Sequence, residues 1–180
     1  MINHSDAVEV LISADRIAAR VKQIADQIVQ DYRGKTVTLL GVLKGGVMFT
    51  SDLARAIEPL SVELEFIKVS SYDDKMESSG NVRLEYPKNI RLKDRHIIIV
   101  EDIVDMGYTA AWLRKYIMEQ KAASVKLCAL LDKPQNRQVG GVKIDYLGFT
   151  IENDFVVGYG LDFADWYRNM PFVGLIKKFQ

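Results

Sequence analysis

Three carboxylates follow one apolar segment of the sequence at close spacing. Residues 97–100 are all aliphatic, Glu101 and Asp102 come directly after them, and Asp105 follows three residues later. A continuous aliphatic run of this kind predicts a strand that is buried on both faces of a parallel sheet. Ligands bind at the carboxyl ends of such strands, and carboxylates can hold sugar hydroxyls or Mg²⁺ or transfer a proton. The spacing therefore predicts a ligand site built around these three acids.

The residues after Asp105 indicate what this ligand carries. Residues 106–109 lead from the predicted strand into a predicted helix. A helix N-terminus offers unpaired N–H groups and the positive end of the helix dipole, and both suit a phosphate. Gly107 lets the backbone approach the ligand, and Thr109 can cap the helix and donate its hydroxyl. Because three acids beside a phosphate would repel it, Mg²⁺ or sugar hydroxyls are the expected partners of the acids.

Helical and strand-like apolar patterns alternate along the chain. Apolar residues at helical spacing fall between Ser13, a predicted N-cap, and Gly34, a predicted stop. The alternation predicts an α/β fold: a single domain over residues 1–180 with a largely parallel central sheet flanked by helices. The predicted strands cover residues 36–42, 62–69, 96–100, 125–131, 144–151 and 155–159, and two further helices cover residues 47–57 and 109–120.

One polar stretch interrupts this alternation. Residues 73–84, DDKMESSGNVRL, are charged and weakly periodic. Loops of about a dozen residues without secondary structure are uncommon in a compact domain, and they are either functional lids or disordered segments. The pattern alone leaves both interpretations open.

The composition excludes several classes of protein. The 180 residues contain 24 Lys+Arg and 24 Asp+Glu, and this zero net charge argues against a chain-wide basic surface for nucleic acid. The single cysteine, Cys128, excludes an intrachain disulfide, and two histidines offer no zinc-binding spacing. No apolar run approaches the roughly 18 residues of a transmembrane helix. We therefore expect a cytoplasmic protein that binds neither nucleic acid nor membrane.

The segment VEDIVDMGYT, residues 100–109, closely resembles the phosphoribosyl-diphosphate motif of phosphoribosyltransferases, in the form found in the hypoxanthine-guanine enzymes. Segments similar to the diphosphate loop, lid, purine site and C-terminal element of that family lie at residues 43–46, 70–72, 132–134, 155–159 and 161–168. This ordered set is typical of the 6-oxopurine branch. The resemblance implies the fold of that family, with a small hood formed by the N- and C-terminal segments. It also implies a mobile lid over about residues 71–85, which includes Ser71 and Tyr72.

The resemblance implies roles for the acidic segment. Glu101 and Asp102 would hold the ribose hydroxyls, directly or through Mg²⁺, and the chain must bend if both are to reach the ligand because adjacent strand residues point to opposite faces. Asp105 would be the catalytic acid or base at N7 of the purine, with capping of the next helix as an alternative or additional role. The 5-phosphate would be bound by Met106, Gly107, Tyr108 and Thr109. Met106 replaces the usual Thr or Ser, so one hydroxyl donor is missing.

The remaining motifs imply the contacts to the base and the diphosphate. Lys133 would bind the purine O6 and so reject adenine, whose amino group is itself a donor. Phe155 would stack on the purine, and the Val156 backbone would read the edge of the base. The diphosphate would be bound by Lys44, Gly45 and Arg168, and a second Mg²⁺ by Asp162. The sequence leaves open whether the peptide bond before Lys44 is cis, as it can be in the family.

The implied reaction is Mg²⁺-dependent transfer of the 5-phosphoribosyl group from phosphoribosyl diphosphate to N9 of hypoxanthine or guanine, in purine salvage. One alternative is a nucleotide-sensing, RNA-binding regulator of the same fold, which the balanced charge argues against. The other is the same reaction on xanthine, which Lys133 and Phe155 do not exclude. The family forms homodimers or homotetramers, and the apolar stretches of the first helix and of residues 172–176 could supply either an interface or core.

Overall fold

The computed structural model describes residues 8–71, 82–86 and 90–176 of the chain. In chain order the elements are β1 (Val8–Ile12), α1 (Ala14–Asp31), β2 (Val37–Leu43), α2 (Val47–Ala56), β3 (Val62–Ser71), β4 (Val82–Tyr86), β5 (His96–Val104), α3 (Tyr108–Glu119), β6 (Ser124–Asp132), β7 (Tyr146–Thr150), β8 (Val156–Val157) and β9 (Val173–Ile176). A 3-10 turn, Pro134–Asn136, follows β6. Within the described ranges, no helix is long and apolar enough to cross a membrane.

The central sheet has six strands in the order β4-β3-β2-β5-β6-β7. Neighbouring strands are parallel except for β4, which runs antiparallel to β3. β5 lies in the middle of the sheet, and its residues from Ile97 to Val100 are 0% exposed. The predictions of a largely parallel sheet and of a central strand buried on both faces are confirmed.

Helices cover both faces of this sheet because each helix carries one apolar face. α1 and α2 pack on the side of Ile98 and Val100, whereas α3 packs on the side of Ile97 and Ile99. The hydroxyl of Ser13 accepts a hydrogen bond from a first-turn N–H of α1, as the sequence predicts. The alternation along β5 therefore sends successive side chains into two different layers, and it continues into the acidic residues at the end of the strand.

A second, smaller sheet joins the two ends of the described chain. Its strand order is β1-β9-β8, and both pairings are antiparallel. Val173 in β9 is 0% exposed, and Val8 and Val156 are buried. This sheet is the small hood of N- and C-terminal segments that the family resemblance implies.

The segment predicted as a loop and lid differs from expectation at both ends. Ser71 is the last residue of β3, and Val82–Tyr86 forms β4, paired with the end of β3. The prediction of a structureless loop over residues 73–84 is therefore wrong for its last three residues. Leu84 packs against the core cluster of the α3 side, which gives this short polar segment an apolar anchor on the sheet edge. Tyr72 and the rest of residues 72–81 lie outside the described residues.

The strand predicted over residues 155–159 is also shorter than expected. Only Val156 and Val157 form β8, because Gly158 and Tyr159 both have positive φ, at 94° and 50°. Left-handed backbone conformations end a strand. The chain turns here toward the segment that contains the predicted diphosphate residues.

Candidate functional site

The predicted site residues follow strands that end at the same edge of the sheet. Lys44 and Gly45 follow β2, the three acids lie at the end of β5, and Lys133 follows β6. These three strands are adjacent and parallel, so their carboxyl ends meet. The backbone N–H of Lys133 donates to the carbonyl of Val104 at 3.0 Å, which joins the ends of β5 and β6 directly.

Glu101 lies on the α3 side of β5, and its side chain is buried at 5% exposure. Its Oε1 has no hydrogen-bond partner within the described part of the chain. Burial, together with the neighbouring charge of Asp102, raises the pKa of Glu101 well above its usual range. Buried acceptors are rarely left without a donor, so this oxygen marks a place where a ligand hydroxyl or cation could bind.

Asp102 lies on the opposite face of β5, against the loop after β2. A Cβ at Gly45 would lie 1.6 Å from Asp102 Oδ2, so a side chain at that position would displace the Asp102 carboxylate. Asp102 Oδ1 accepts a hydrogen bond from the backbone N–H of Ile103 at 2.9 Å. Burial raises the pKa of Asp102 to about 6, although that hydrogen bond and the charge of Arg168 act in the other direction. The two adjacent acids thus serve different parts of the site.

The loop after β5 turns into α3 at Gly107. Gly107 has a φ of 92° and is the N-cap of α3, with no side chain capping the helix. The predicted capping role of Thr109 is therefore wrong, as is the alternative of a cap by Asp105, because the left-handed turn at Gly107 moves the helix start to Tyr108. The first N–H groups of an α-helix lack intrahelical acceptors, and those of α3 remain able to bind an anion.

A segment that the sequence did not single out, residues 136–139, forms hydrogen bonds with this loop. The Arg137 guanidinium donates to the carbonyl oxygen of Asp105 at 2.8 Å and forms an ion pair with Asp132. The backbone N–H groups of Gln138 and Val139 donate to the carbonyl of Met106 at 3.0 and 3.2 Å. The main chain of the loop after β5 is thus held by residues that follow the predicted purine lysine.

Two side-chain contacts complete this attachment. The Asn136 amide donates to Asp105 Oδ1 at 2.8 Å, and the hydroxyl of Tyr108 donates to Gln138 Oε1 at 3.0 Å. Residues 136–139, named the loop support below, therefore contact Asp105, Met106 and Tyr108 in and after the turn that follows β5. We find no sequence signal for these contacts beyond four residues of mixed polarity after a Lys-Pro pair.

The predicted purine residues lie next to this support. Lys133 is 8% exposed, so it is not the solvated strand-end lysine that its position alone would favour. Phe155 is 59% exposed, and its ring meets that of Phe163 edge-on at 5.7 Å between centroids. Val156 is buried in β8. Phe155 therefore presents an open aromatic face and is not a core residue.

The predicted diphosphate residues are linked by one carboxylate. Asp165 Oδ1 lies 3.2 Å from Lys44 Nζ and 3.3 Å from the Arg168 guanidinium. Asp162 forms a second ion pair with Arg168 at 2.7 Å. Hydrogen bonds from Lys44 and Arg168 lower the pKa of Asp165. Sequence reasoning placed both cations and Asp162 in the site but missed Asp165.

The backbone of the diphosphate loop has an uncommon geometry. The Leu43–Lys44 peptide bond is cis, which settles the question that the sequence left open. Gly160, with a φ of 102°, lies so close to this loop that a Cβ there would meet the carbonyl oxygen of Gly45 at 2.0 Å. Arg168 donates to the Gly160 carbonyl at 2.8 Å. The segment of residues 158–168 is thus packed directly against the loop after β2.

The donor set fits a magnesium ion that is shared with a substrate. Among the residues that the structure describes, no group of three or more His, Cys, Asp or Glu side chains could hold a metal. Mg²⁺ is commonly held by one or two carboxylates together with substrate phosphates and water. Two donors of this type are present: Oε1 of Glu101, which has no hydrogen-bond partner among the described residues, and the half-buried carboxylate of Asp102, which interacts with the charge of Asp162.

Comparison with known proteins identifies the family. A model of the phosphoribosyl transferase domain matches residues 10–164 of this chain. The chain belongs to the phosphoribosyl transferase family. The matched range runs from within β1 to beyond β8, and it contains the predicted site residues except Arg168.

The relatives of this phosphoribosyltransferase refine the comparison. A hypoxanthine-guanine phosphoribosyltransferase of Streptococcus pneumoniae strain R6 is 42% identical over 174 residues, covering 97% of this chain and 96% of the relative. A bifunctional TilS/HprT protein of Listeria innocua is 41% identical, and this chain spans only 26% of that longer protein. The solved structure of a hypoxanthine phosphoribosyltransferase from Staphylococcus aureus gives a TM-score of 0.91 at 35% identity, covering 98% of this chain and 97% of that one. The resemblance drawn from the motifs is confirmed.

Proposed function

We propose that this phosphoribosyltransferase moves the 5-phosphoribosyl group of phosphoribosyl diphosphate to N9 of hypoxanthine or guanine. The products are the nucleoside monophosphate and diphosphate, and the reaction is one of purine salvage. The observation that carries the proposal is the junction of β5 and β6. There the acid Asp105 and the buried cation Lys133 lie at the ends of neighbouring parallel strands that are joined by the bond from Lys133 to Val104.

At this junction the base is recognised and its proton is moved. The ammonium of Lys133 donates to O6 of a 6-oxopurine, whereas adenine offers an amino donor in the same place. As N9 forms its bond to C1 of the ribose, the bond from C1 to the diphosphate oxygen breaks. The proton on N7 passes to the carboxylate of Asp105. The exposed face of Phe155 stacks on the base, and the Val156 backbone contacts its edge.

The phosphoribosyl group is held by the end of β5 and the start of α3. Glu101 accepts from the ribose hydroxyls with the oxygen that has no partner among the described residues. The backbone N–H groups of residues 106–109 bind the 5-phosphate at the positive end of α3. Met106 contributes its main chain alone. Thr109 supplies a hydroxyl near the phosphate, whereas Tyr108 contributes its backbone N–H, because its hydroxyl donates to Gln138.

The leaving diphosphate is held on the other side of β5. Lys44, Arg168 and the backbone at Gly45 bind its oxygens, and the planar guanidinium allows a bidentate contact. Mg²⁺ would be held by Glu101 and Asp102 on the ribose side and by Asp162 on the diphosphate side. When bound, it neutralises the charge that develops on the leaving diphosphate. Asp162 forms an ion pair with Arg168, which supports its place beside the diphosphate.

Three broader proposals accompany this function. We propose one domain over residues 1–180, a cytoplasmic location, and a lid that includes Ser71 and Tyr72 and that closes over the reaction centre to exclude water. We also propose a homodimer or homotetramer. Both candidate interface stretches contain core residues, with Ile24 and Val173 each 0% exposed, so the interface must use other side chains. Sedimentation velocity measures the oligomeric state directly.

A stoichiometry measurement tests the proposed reaction. The purified protein is given phosphoribosyl diphosphate, hypoxanthine and Mg²⁺, and inosine monophosphate and diphosphate are quantified separately. We expect equal amounts of the two products, and we expect both to vanish when the metal is removed with a chelator and to return when Mg²⁺ is restored. Diphosphate released without nucleotide would show hydrolysis instead of transfer, and product formation without metal would overturn the role of Mg²⁺.

A further inference from the structure

Asn136 contacts the proposed catalytic acid from a segment that no motif assigned to the reaction. Its amide nitrogen donates to Asp105 Oδ1 at 2.8 Å and to Asn153 Oδ1 at 2.5 Å. Both partners are oxygen atoms, so the orientation of the Asn136 amide follows from its surroundings. One side chain thus joins the end of β5 to the segment that leads into Phe155.

The rest of the loop support leaves the carboxylate of Asp105 free to rotate, and the hydrogen bond from Asn136 restrains it. Arg137 holds the carbonyl oxygen of Asp105, and the next peptide is held through Met106, so the main chain is fixed independently of the side chain. Rotation of a carboxylate about its last torsion is broad and roughly two-fold. Asp105 is partly exposed, so water could otherwise compete for either oxygen. The hydrogen bond from Asn136 selects one orientation of the carboxylate.

We propose that Asn136 is a positioning residue for the transfer reaction: it occupies Oδ1 of Asp105 so that Oδ2 is left for N7 of the purine. Through Asn153 it also ties this carboxylate to the segment before the stacking residue Phe155. The inference rests on the proposed function, in which Asp105 takes the N7 proton. Its effect falls on the chemical step, because Asn136 orients the acid and leaves phosphoribosyl diphosphate binding to other residues.

The neighbouring residue Gln135 provides a matched control. Its amide donates to Glu152 Oε2 at 2.7 Å, so it links the same two segments as Asn136 does. Within the described part of the chain Gln135 makes no hydrogen bond to Asp105, and its side chain is exposed. A purely structural role in joining these segments would make the two residues equivalent. A role through Asp105 would make Asn136 alone important.

The test is a double-mutant cycle with steady-state kinetics. Asn136→Ala, Gln135→Ala and Asp105→Asn are measured singly, and Asn136→Ala is also combined with Asp105→Asn. We expect Asn136→Ala to lower kcat on the order of tenfold, since small displacements of a catalytic group reduce turnover strongly. KM for phosphoribosyl diphosphate should stay within about twofold, and Gln135→Ala should match the wild type. In the Asp105→Asn background, Asn136→Ala should have no further effect, because residues that act as a unit are non-additive.

The outcomes of this cycle separate a failure of the proposed role of Asp105 from a failure of the inference about Asn136. If Asp105→Asn keeps wild-type turnover, both the proposed role of Asp105 and the inference about Asn136 are wrong. The inference about Asn136 alone fails if Asp105→Asn loses turnover but Asn136→Ala does not. It also fails if Asn136→Ala lowers kcat equally in both backgrounds, or if its effect equals that of Gln135→Ala. Asn136→Leu has a similar volume and lacks the donor. It must reproduce the loss of kcat at an unchanged melting temperature, which separates positioning from unfolding.

Discussion

The two sides of the candidate site are built from different kinds of contact. On the purine and phosphate side, the loop after β5 is held by residues 136–139 through backbone and amide hydrogen bonds and the guanidinium of Arg137. On the diphosphate side, Lys44 and Arg168 are held by the carboxylates of Asp162 and Asp165. The side chains of Lys44 and Asp165 are 60% and 74% exposed.

This difference separates contacts that remain during the reaction from contacts that a substrate must replace. The hydrogen bonds of the loop support go to carbonyl oxygens and side chains of the loop, so a phosphate bound by backbone N–H groups would not compete with them. Asp165 occupies the same two cations that would bind a diphosphate, and exposed ion pairs contribute little to stability. In the proposed function, the first side would therefore be pre-organised before the substrate binds, and the second would exchange an internal anion for the diphosphate.

The largest expected effect lies on the pre-organised side. Asp105→Asn removes the proton acceptor and keeps the size of the side chain, so turnover should fall by roughly 10²- to 10⁴-fold. KM for phosphoribosyl diphosphate should change little, since the main chain of the loop is held by Arg137 and the residues after it. Steady-state kinetics with hypoxanthine measures both constants. An increase in KM as large as the decrease in kcat would mean that the carboxylate holds the loop and does not move a proton.

A smaller effect is expected at the one motif position that departs from the family. Met106→Thr supplies a hydroxyl next to the 5-phosphate without disturbing the main-chain bonds from Gln138 and Val139. A hydrogen bond to a charged group contributes about 1.5 kcal/mol or more, so affinity for phosphoribosyl diphosphate should rise up to roughly tenfold. Isothermal titration calorimetry measures the affinity directly. Weaker binding would show that the loop is not pre-organised for a hydroxyl at this position.

The proposed exchange of Asp165 for the diphosphate predicts that removing the charge of Asp165 strengthens substrate binding. Asp165→Asn removes the charge that occupies Lys44 and Arg168, so KM for phosphoribosyl diphosphate should fall by roughly two- to fivefold, as suits an exposed ion pair. Asp26→Asn removes an equally negative, exposed side chain from α1 and serves as the control for net charge. An increase in KM for Asp165→Asn alone would show that Asp165 supports the cations and does not compete with the substrate.

Glu101 belongs to neither set of contacts, and its burial predicts that the stability of the protein depends on pH. Its pKa is raised in the folded protein, so the folded state binds the proton more tightly than the unfolded state does. The contribution of Glu101 to stability is therefore most favourable at low pH, and it is lost as the pH rises from the unfolded pKa of about 4.3 toward the folded pKa. Glu101→Gln should therefore raise the free energy of unfolding at pH 8, because the amide carries no charge that burial would penalise.

Urea denaturation at pH 5 and pH 8 measures this effect. The gain for Glu101→Gln should shrink at pH 5, and the transfer activity should fall because a ligand-binding oxygen is lost. Glu119→Gln, on the exposed end of α3, should leave the stability nearly unchanged at both pH values. A loss of stability for Glu101→Gln at pH 8 would mean that the carboxylate is stabilised in the folded protein by a contact that its burial does not reveal.

The parts of this structure that local sequence could predict are those with local causes. Apolar periodicity predicted α1, and the aliphatic run of residues 97–100 predicted the central strand, because both follow from side-chain spacing within one element. β4 was missed because its alternating residues VRLEY overlap a polar stretch of the sequence and the strand is stabilised by pairing with the distant edge of β3.

The contacts that organise the site join residues far apart in the chain. Asn136 and Asp105 are separated by 31 residues, and Lys44 and Asp165 by 121 residues. No local pattern predicts such pairs, so sequence reasoning missed the residues that hold or neutralise the proposed reacting groups. Asp105 and Lys44 were proposed from the resemblance to the family motifs, whereas the contacts of Asn136 and Asp165 depend on the completed fold.

A competition between bases tests the central claim most directly. The protein is supplied with Mg²⁺, phosphoribosyl diphosphate and equal amounts of hypoxanthine, guanine, xanthine and adenine, and the nucleotides are separated by chromatography. The account predicts inosine and guanosine monophosphates as the main products and no adenosine monophosphate, because Lys133 donates to O6. Adenosine monophosphate as the main product, or no nucleotide from any base while phosphoribosyl diphosphate still binds, would contradict it.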